Sequence, residues 1–374
     1  MNNNNMGKNK VLVVCPVYSP HAGGGGQYFP LVSSQLSSFK NIFNVIVLTE
    51  RHPLESFHSV ENGIDIYRVL PQRDTLENKN KFYYVYSFIW TYILLYILIP
   101  YFVIIKRVTI IHYTRYLTRP FYLLTWLMQK ILNTKVVLDM RTTVESNSCI
   151  EKLFGYDIII SNSLGVFQQM KAIGVDEKKH SLVPNPVNLP KLVGKGDLEK
   201  IAPGVKPPFF LFVGQLLERK SISETLEAFA LFQKEFSDFS FIVVGRNMLG
   251  NSIENRMGTI KNVSYLGALD RGQVLELMVL SEAVLQPSKV EGIPRVTLEA
   301  LALGKKVLLP PCVPEFIQDN ALFSIQSVSI EEIFKALKRI AKTDQLPTYD
   351  LSIHHPENSK KFLLDIYSTL LTNR

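Results

Sequence analysis

The sequence predicts an α/β protein with two domains, each built around a parallel β-sheet. The chain has 374 residues, which is more than a single hydrophobic core usually serves. Two unbroken apolar runs, residues 10–16 and 209–213, are typical of strands that are buried on both faces. Each run opens a series in which strand patterns alternate with helix patterns, as in βαβ units. The strands are expected at residues 10–16, 44–49, 64–69, 109–113, 135–139, 157–161 and 181–183 in the first series, and at 209–213, 241–245, 263–266, 283–286 and 306–309 in the second.

The two series are separated by a linker over residues 190–208, which is rich in proline, glycine and charge. Such a composition is typical of an interdomain connection. We therefore expect a first domain over residues 1–188 and a second domain over residues 189–355. The last segment, 356–374, has the pattern of an amphipathic helix.

The composition indicates a folded protein in a reducing compartment. Hydrophobic residues make up 47% of the chain and charged residues 20%, which excludes a disordered chain. Cys15, Cys149 and Cys312 show neither a C-x-x-C motif nor the spacing of a metal site, so no disulfide framework is expected. The polar start of the chain, residues 1–10, lacks the apolar stretch of a cleavable signal peptide. We therefore expect a cytoplasmic protein.

The positive charge is concentrated in the first half of the chain. The overall formal charge is +8, and residues 1–180 hold 19 Lys+Arg against 12 Asp+Glu. A basic half of this kind attracts anionic lipid, phosphate groups or nucleic acid. Nucleic acid ranks last, because no predicted helix carries a basic stripe with interleaved aromatic residues. The expected partners are therefore a phosphate-bearing ligand and an anionic membrane surface.

Residues 82–105 form a 24-residue stretch without a charged side chain, which is long enough to cross a bilayer. The basic pair Lys106-Arg107 closes the stretch, and a second apolar helix pattern follows at residues 121–132. Three structures are compatible with it: a membrane span, a buried core helix, or a helix that packs on the sheet with one side and on lipid with the other. A span would divide the first domain. The aromatic residues and the basic end favour the third structure, with membrane-facing helices over about 82–132.

Two groups of residues follow strands of the first domain. Four glycines, 23–26, come between the first strand and a predicted helix at residues 27–39, and glycine lets the backbone approach a ligand closely. Asp139, Arg141 and Glu145 lie at the carboxyl end of the strand over 135–139. Because ligands of open α/β sheets bind outside the carboxyl ends of strands, these three are candidates for a site. The alternative is that they only cap the loop.

The stretch over residues 286–311 of the second domain holds two glutamates, Glu291 and Glu299, on either side of a predicted helix start. Pro294 has the fixed φ suited to a first helical residue. A helix N-terminus binds a phosphate group through its free N–H groups and its dipole, and a carboxylate accepts hydrogen bonds from a diol. The combination predicts a nucleotide-sugar site, with ribose on Glu299 and the sugar near Glu291. The alternative is that both glutamates only solvate the helix.

Arg219 and Lys220 follow the first strand of the second domain. A guanidinium binds a diphosphate through its planar fork, and an ammonium binds it as a point charge. Alone, the pair is more often a solvated surface. Its place at a strand end, opposite a predicted helix N-terminus, favours diphosphate binding.

These residues form motifs that resemble those of the GT4-type retaining glycosyltransferases. Residues 287–310, PSKVEGIPRVTLEALALGKKVLLP, are similar to the family's block with the E-x7-E motif, and the match is dense over more than twenty residues. Residues 212–220 resemble its F-V-G-R-L-x-x-x-K segment, with Ser221 in place of the following glycine. Further similarities lie at Gly24, Gly25 and Gln27, at the D-x-R segment from Asp139, at Asn185–Asn188 and at Glu315–Ile317.

The resemblance implies a GT-B fold, in which two Rossmann-like domains face a central cleft and the C-terminal helix returns to the first domain. It implies transfer of a sugar from a UDP- or GDP-sugar with retention at the anomeric carbon. It also implies that no metal or other cofactor is required, because Arg219 and Lys220 neutralise the diphosphate. With Glu291 they form the predicted catalytic group. The predicted donor-binding residues are Gly24, Gly25, Gly214, Gly292, Ile293, Pro294, Val296, Thr297 and Glu299.

The acceptor is expected to be a lipid-linked or cell-envelope glycan, with Asp139, Arg141 and Glu145 on its side of the site. Two other functions compete with this hypothesis. A sugar-nucleotide epimerase of the same fold would need a histidine and carboxylate set whose spacing the sequence lacks. A catalytically silent membrane-associated subunit that binds nucleotide sugar is disfavoured by the intact basic pair and both glutamates.

Overall fold

A computed structural model of the chain describes residues 9–15, 18, 42–51, 55–72, 81–114, 119–141, 156–187, 197–317 and 320–372. The chain divides into two compact units. The first unit comprises Met1–Asn162, Val166–Pro186 and Pro356–Arg374, and the second comprises Ser163–Gly165 and Val187–His355. The chain therefore leaves the first unit after Pro186 and returns to it at Pro356.

The strands and helices alternate along the chain, as βαβ units require. The strands are β1 (Asn9–Val14), β2 (Phe43–Glu50), β3 (His58–Glu61), β4 (Ile64–Leu70), β5 (Ile110–Tyr113), β6 (Lys135–Met140), β7 (Ile158–Ser161), β8 (His180–Leu182), β9 (Phe209–Val213), β10 (Ser240–Val244), β11 (Val263–Tyr265), β12 (Ala283–Leu285) and β13 (Lys306–Leu308). The helices are α1 (Lys81–Ile104), α2 (Arg119–Leu132), α3 (Leu164–Ala172), α4 (Leu198–Ile201), α5 (Ile222–Phe232), α6 (Asn251–Thr259), α7 (Arg271–Leu280), α8 (Arg295–Ala302), α9 (Ile330–Lys342) and α10 (Pro356–Thr372).

The first unit contains an eight-stranded sheet in the order β3-β4-β2-β1-β5-β6-β7-β8. All neighbouring pairs are parallel except β3 and β4. The sequence analysis missed β3, which is short and largely exposed. It forms a hairpin with β4 through Asn62 and Gly63, both of which have positive φ, as in the turns that join antiparallel strands.

Both faces of this sheet are buried, which explains its unbroken apolar strands. Leu12 and Val14 of β1 pack on one face with residues of α1, α2 and α3. Val11 and Val13 pack on the other face with residues of α10. The last helix of the chain is therefore part of the core of the first unit.

Helix α1 coincides with the uncharged stretch of the sequence. Within the described residues, it is the one helix long and apolar enough, over Val85–Ile104, to cross a membrane by length and composition. Only 33% of that segment is buried, so α1 is not a fully buried core helix. It packs against α2 and β4, and its contacts with the sheet involve one side of the helix.

The second unit contains a five-stranded parallel sheet in the order β11-β10-β9-β12-β13. Its core is rich in phenylalanine, with Phe209, Phe210 and Phe212 of β9 fully buried. Two short helices were not predicted. Helix α4 lies within the predicted linker, and α6 buries only Ile253 and Met257, too few apolar residues for a clear helical pattern.

The acid sensitivity of the first unit should depend on His180. The ring of this buried residue stacks on Phe167 with centroids 3.9 Å apart, and Nε2 lies 2.7 Å from the Ser161 hydroxyl. Burial lowers the pKa of His180 from 6.5 to about 4, against the opposing charge of Glu177. Between these values the unfolded chain binds a proton that the folded protein excludes. The free energy of unfolding should therefore fall as the pH falls through this range, by up to about 3 kcal/mol.

Urea unfolding at several pH values between about 4 and 7 measures how the free energy of unfolding changes with pH. The variant His180→Gln cannot titrate, so its free energy of unfolding should depend less on pH over the same range. An equal slope in both proteins would assign the acid sensitivity to other groups.

Candidate active site

The candidate site begins where two neighbouring strands of the second unit end in glycine. Gly214 follows β9 with φ +150°, and Gly245 follows β10 with φ +139°. A Cβ atom on Gly245 would lie 1.8 Å from the carbonyl oxygen of Gly214, so only glycine permits this approach. The chain then turns through Glu218–Lys220. This turn brings the Lys220 side chain back to Gly214, with Cε 3.9 Å from where a Cβ of that glycine would lie.

Arg219, Lys220 and Glu291, the predicted catalytic group, are in direct contact. Arg219 Nη1 donates to Glu291 Oε1 at 2.9 Å and lies 3.3 Å from the carbonyl oxygen of Val290. Lys220 Nζ contacts the same carboxylate oxygen. The Lys220 and Glu291 side chains are only 12% and 13% exposed, whereas Arg219 is 42% exposed. A carboxylate thus links two cations at the edge of the sheet.

Cys312 lies beside this group and was given no role by the sequence analysis. Its Sγ donates to the carbonyl oxygen of Ser288 at 3.3 Å. Burial raises the pKa of the Cys312 thiol to about 11, and the negative charge of Glu291 adds to this effect. The thiol is therefore protonated at neutral pH and is a poor nucleophile.

The predicted donor-binding residues of the second unit occupy the loop before α8 and its first turns. The sequence predicted Pro294 as the first helical residue of α8. In the structure it is the N-cap of that helix. Its carbonyl oxygen accepts from the N–H groups of Thr297 and Leu298 at 3.1 and 3.3 Å, so Pro294 closes the first helical turn. Of the predicted donor-binding residues here, Gly292, Ile293 and Thr297 are buried, and Val296 is half-buried. Thr297 Oγ1 has no hydrogen-bond partner within the described residues.

Glu299 is held by two arginines that sequence reasoning missed. Arg271 Nη2 donates to Glu299 Oε1 at 3.0 Å, and Arg295 Nη2 lies 3.7 Å from the same oxygen. Arg271 is the first residue of α7, and the side chains of Asp270 and Gln273 cap that helix reciprocally. Burial lowers the pKa of Arg295, and the neighbouring Arg271 cation adds to this effect while Glu299 opposes it.

Each of the two motif glutamates therefore contacts two cations. Arg219 and Lys220 contact one carboxylate, and Arg271 and Arg295 contact the other. The four cations and two carboxylates together have a formal charge of +2. An excess of this sign and size suits a dianionic ligand such as a diphosphate. Among the residues that the structure describes, no three His, Cys, Asp or Glu side chains come together to hold a metal ion. The expectation of metal independence stays a prediction.

The acceptor-side candidate Asp139 is fully buried at the end of β6, so its carboxylate has no surface to offer a ligand. Its Oδ2 accepts from Arg141 Nη2 and lies 3.3 Å from His112 Nε2. Burial raises the pKa of the Asp139 carboxyl, although His112 opposes this effect. Arg141 also donates to Asn185 Oδ1 and is 15% exposed. Asp139 thus positions Arg141, which remains a candidate for binding the acceptor. Three other predicted site residues, Glu145, Gly24 and Gly25, lie outside the described residues.

The network extends to the last helix of the chain, which sequence reasoning had not connected to it. His112 Nδ1 lies 2.5 Å from the hydroxyl of Tyr367 in α10. Both side chains are fully buried, and burial raises the pKa of Tyr367 well above its usual value. The only available signal was that His112 occurs in an otherwise apolar strand, where a polar group needs a partner.

Ser221, which replaces the family's glycine, adopts a left-handed conformation with φ +59° and ψ +35°. This conformation costs a non-glycine residue about 1–2 kcal/mol, and the buried Ser221 Oγ has no hydrogen-bond partner in the described part of the chain.

Ser221→Gly should therefore raise the free energy of unfolding by about 1 kcal/mol, after the greater chain entropy of glycine is subtracted. Chemical denaturation measures the change. Ser221→Ala, which removes the hydroxyl but keeps Cβ, is the control, and equal effects of both variants would exclude backbone strain as the cause.

The second unit matches a family sequence model, and the fold of the chain matches solved structures. Residues 197–349 match the sequence model of the family described as Glycosyl transferases group 1. Among solved structures, the chain is similar to sucrose-phosphate synthase from Thermosynechococcus elongatus, with a TM-score of 0.70, 14% identity, and coverage of 98% of this chain and 100% of that one. It is similar to an α,α-trehalose-phosphate synthase (UDP-forming) from Burkholderia xenovorans in complex with glucose-6-phosphate, with a TM-score of 0.70, 12% identity, and coverage of 97% and 100%. It is also similar to HepE of Anabaena in complex with UDP and glucose, with a TM-score of 0.64, 12% identity, and coverage of 96% and 100%. No curated protein matches the sequence significantly.

The two largely parallel sheets and these likenesses define the GT-B fold. Residues 197–349, which match the model of the Glycosyl transferases group 1 family, include Arg219, Lys220 and both motif glutamates. The predicted fold class and the glycosyltransferase resemblance are therefore confirmed.

Proposed function

We propose that this glycosyltransferase transfers a hexose from a UDP-sugar, with retention and without a metal ion, to a lipid-linked or cell-envelope glycan at the inner face of the cytoplasmic membrane. The observation that carries the proposal is the contact of Arg219 and Lys220 with Glu291. This contact combines a binding site for a departing diphosphate with a carboxylate that can accept hydrogen bonds from sugar hydroxyls. The GT4-type resemblance of the motif supports retention.

The choice of donor is supported by the structural relatives. HepE of Anabaena is in complex with UDP and glucose, and the Burkholderia enzymes are named UDP-forming. A UDP-hexose is therefore a better-supported donor than a GDP-sugar. In the proposed complex, Glu299 accepts from ribose hydroxyls, and the diphosphate lies between the N-terminus of α8 and the basic pair.

The chemistry requires stabilisation of the diphosphate as the bond from its oxygen to the anomeric carbon breaks. Arg219 and Lys220 supply fixed positive charge where negative charge develops, which is usually the largest catalytic contribution. Glu291 contacts both Arg219 and Lys220 in the structure. An incoming diphosphate must therefore replace part of that contact. The carboxylate is then free to orient the donor sugar. The acceptor hydroxyl oxygen forms its bond on the same face of the sugar that the diphosphate leaves, and the hydroxyl proton passes to the departing diphosphate.

The acceptor and the location are supported by the first unit. The exposed side chains described on α1, from Phe82 to Ile104, are all aliphatic or aromatic, and the charge of residues 1–180 is positive. A membrane surface satisfies both properties. The scattered cysteines fit the reducing cytoplasmic side.

The decisive experiment is a titration of the purified protein with UDP-, GDP- and ADP-sugars, followed by measurement of nucleotide release with and without lipid-linked acceptors. We expect selective binding of UDP-sugars and release that increases with acceptor and is unchanged by EDTA. Product NMR should show that the anomeric configuration is retained. Tight binding of a donor without release under any condition would support the silent subunit instead, and loss of activity in EDTA would contradict metal independence.

A further inference from the structure

The outer side of α1 is an uninterrupted apolar face. Its exposed side chains range from 38% exposed, at Tyr96, to 85% exposed, at Phe82. Neighbouring exposed positions such as Ile89 and Ile104 continue the face toward both ends of the helix. Helix α2 packs against α1 and adds Leu123 and Trp126, among other exposed apolar residues. Monomeric soluble proteins rarely expose apolar surface on this scale without using it.

The inner side of α1 fixes how the helix can meet a membrane. Thr91, Leu95, Ile99 and Phe102 are buried at intervals of three or four residues, and the last three belong to the core of the first unit. From Ser87 to Val103 this buried stripe is about 24 Å long, at 1.5 Å per residue. A helix that packs on the sheet over this length cannot at the same time be surrounded by lipid. It can contact lipid only from the side, with its axis in the plane of the surface.

The charged residues in the segment that carries the apolar face have one sign. Between Lys81 and Lys135 the sequence has seven Lys+Arg and no Asp or Glu. Lys106 and Arg107 follow α1, and Lys130 lies in the last turn of α2. Each basic residue near an anionic bilayer strengthens binding about fivefold. Tyrosine and tryptophan on the face, such as Tyr86 and Trp90, are the residues preferred at the boundary between lipid and water.

We propose that the exposed sides of α1 and α2 form one docking surface for an anionic lipid bilayer, and that α1 lies in the plane of the bilayer without spanning it. This inference deepens the location given in the proposed function, and the binding can be measured independently of sugar transfer. A second copy of the chain fits less well. A two-fold interface pairs the same surface with itself, so it would bring two all-basic borders together.

Sedimentation of the full chain with vesicles tests the inference. Vesicles of phosphatidylcholine with phosphatidylglycerol should bind the protein at least about tenfold more tightly than phosphatidylcholine alone, because two or more basic residues contribute. High salt should weaken binding to the anionic vesicles, and alkaline carbonate should release the protein. Retention in carbonate would overturn the in-plane arrangement in favour of a span, and failure to bind anionic vesicles would overturn the docking surface.

Two variants locate the surface. Ile89→Glu combined with Ile97→Glu places charge on the apolar face at positions that are 51% and 62% exposed, so the fold should persist, and vesicle binding should weaken at least tenfold. Leu346→Glu is the matched control, since Leu346 is 53% exposed in the second unit. Circular dichroism and UDP titration of each variant confirm that both units are folded. Equal vesicle binding by both variants, or a wild-type dimer in light scattering that only the α1 variant dissociates, would overturn the proposal.

Discussion

Arg219→Ala and Lys220→Ala should each lower the rate of sugar transfer at least about 100-fold, the usual effect of removing one charge-stabilising donor. Both cations contact Glu291 Oε1, so the remaining cation in either variant is still neutralised by the carboxylate. The positive charge that a departing diphosphate needs is then largely lost. Steady-state kinetics with a UDP-sugar and its acceptor measure the effect.

The stability of these variants should change little, because Arg219 is 42% exposed and neither cation is part of the hydrophobic core. Arg256→Ala is the matched control. Arg256 is also 42% exposed and pairs with Glu227 at 2.6 Å, away from the motif residues in the sequence. Its removal should leave transfer within about twofold. Near-normal activity of Arg219→Ala or Lys220→Ala would contradict the assignment of the diphosphate to this pair.

The two motif glutamates should differ in which kinetic constant they control. Glu291→Gln should lower kcat about 100-fold with little change in the Kd of UDP, because Glu291 is assigned to the transferred sugar, which UDP lacks. Glu299→Gln should raise the Kd of UDP about tenfold or more, the effect of losing a hydrogen bond to a charged acceptor. Isothermal titration with UDP and steady-state kinetics separate the two effects.

Loss of Glu299 also leaves Arg271 and Arg295 without their shared carboxylate, which by itself would strengthen the binding of any anion. Titration with inorganic pyrophosphate therefore controls for charge, and Glu227→Gln controls for the loss of a surface carboxylate. If UDP binds Glu299→Gln as tightly as the wild type while pyrophosphate binding is unchanged, the ribose role is wrong.

The cluster of Arg219, Lys220 and Glu291 could be predicted from the sequence because its members lie after strand ends. In a parallel sheet, the segments after β9 and β12 must emerge at the same edge, so Lys220 and Glu291 come together although they are far apart in the chain. The unbroken apolar strands likewise predicted two parallel sheets, which was enough to give the fold class. These features depend on local patterns and on the geometry common to all parallel sheets.

Other parts of the site depend on contacts that no local pattern records. Arg271 reaches Glu299 from a helix 28 residues earlier in the chain, and Tyr367 meets His112 across 255 residues. An exposed arginine at a helix start has the same sequence pattern with or without such a partner. For Asp139 the position at the strand end was predicted, but the local pattern records neither its complete burial nor its contact with His112, 27 residues earlier in the chain.

The inclusion of α10 in the first unit has a consequence for biosynthesis. The residues that pack under β1, such as Leu363 and Tyr367, follow the second unit in the chain and are synthesised after it. The second unit, from Val187 to His355, is complete before them. During synthesis the second unit can therefore fold first, while one face of the earlier sheet stays uncovered until α10 has been synthesised. Expression of the first half alone, cut at Pro186, should yield an aggregation-prone protein, and addition of residues 356–374 as a separate peptide should restore its solubility.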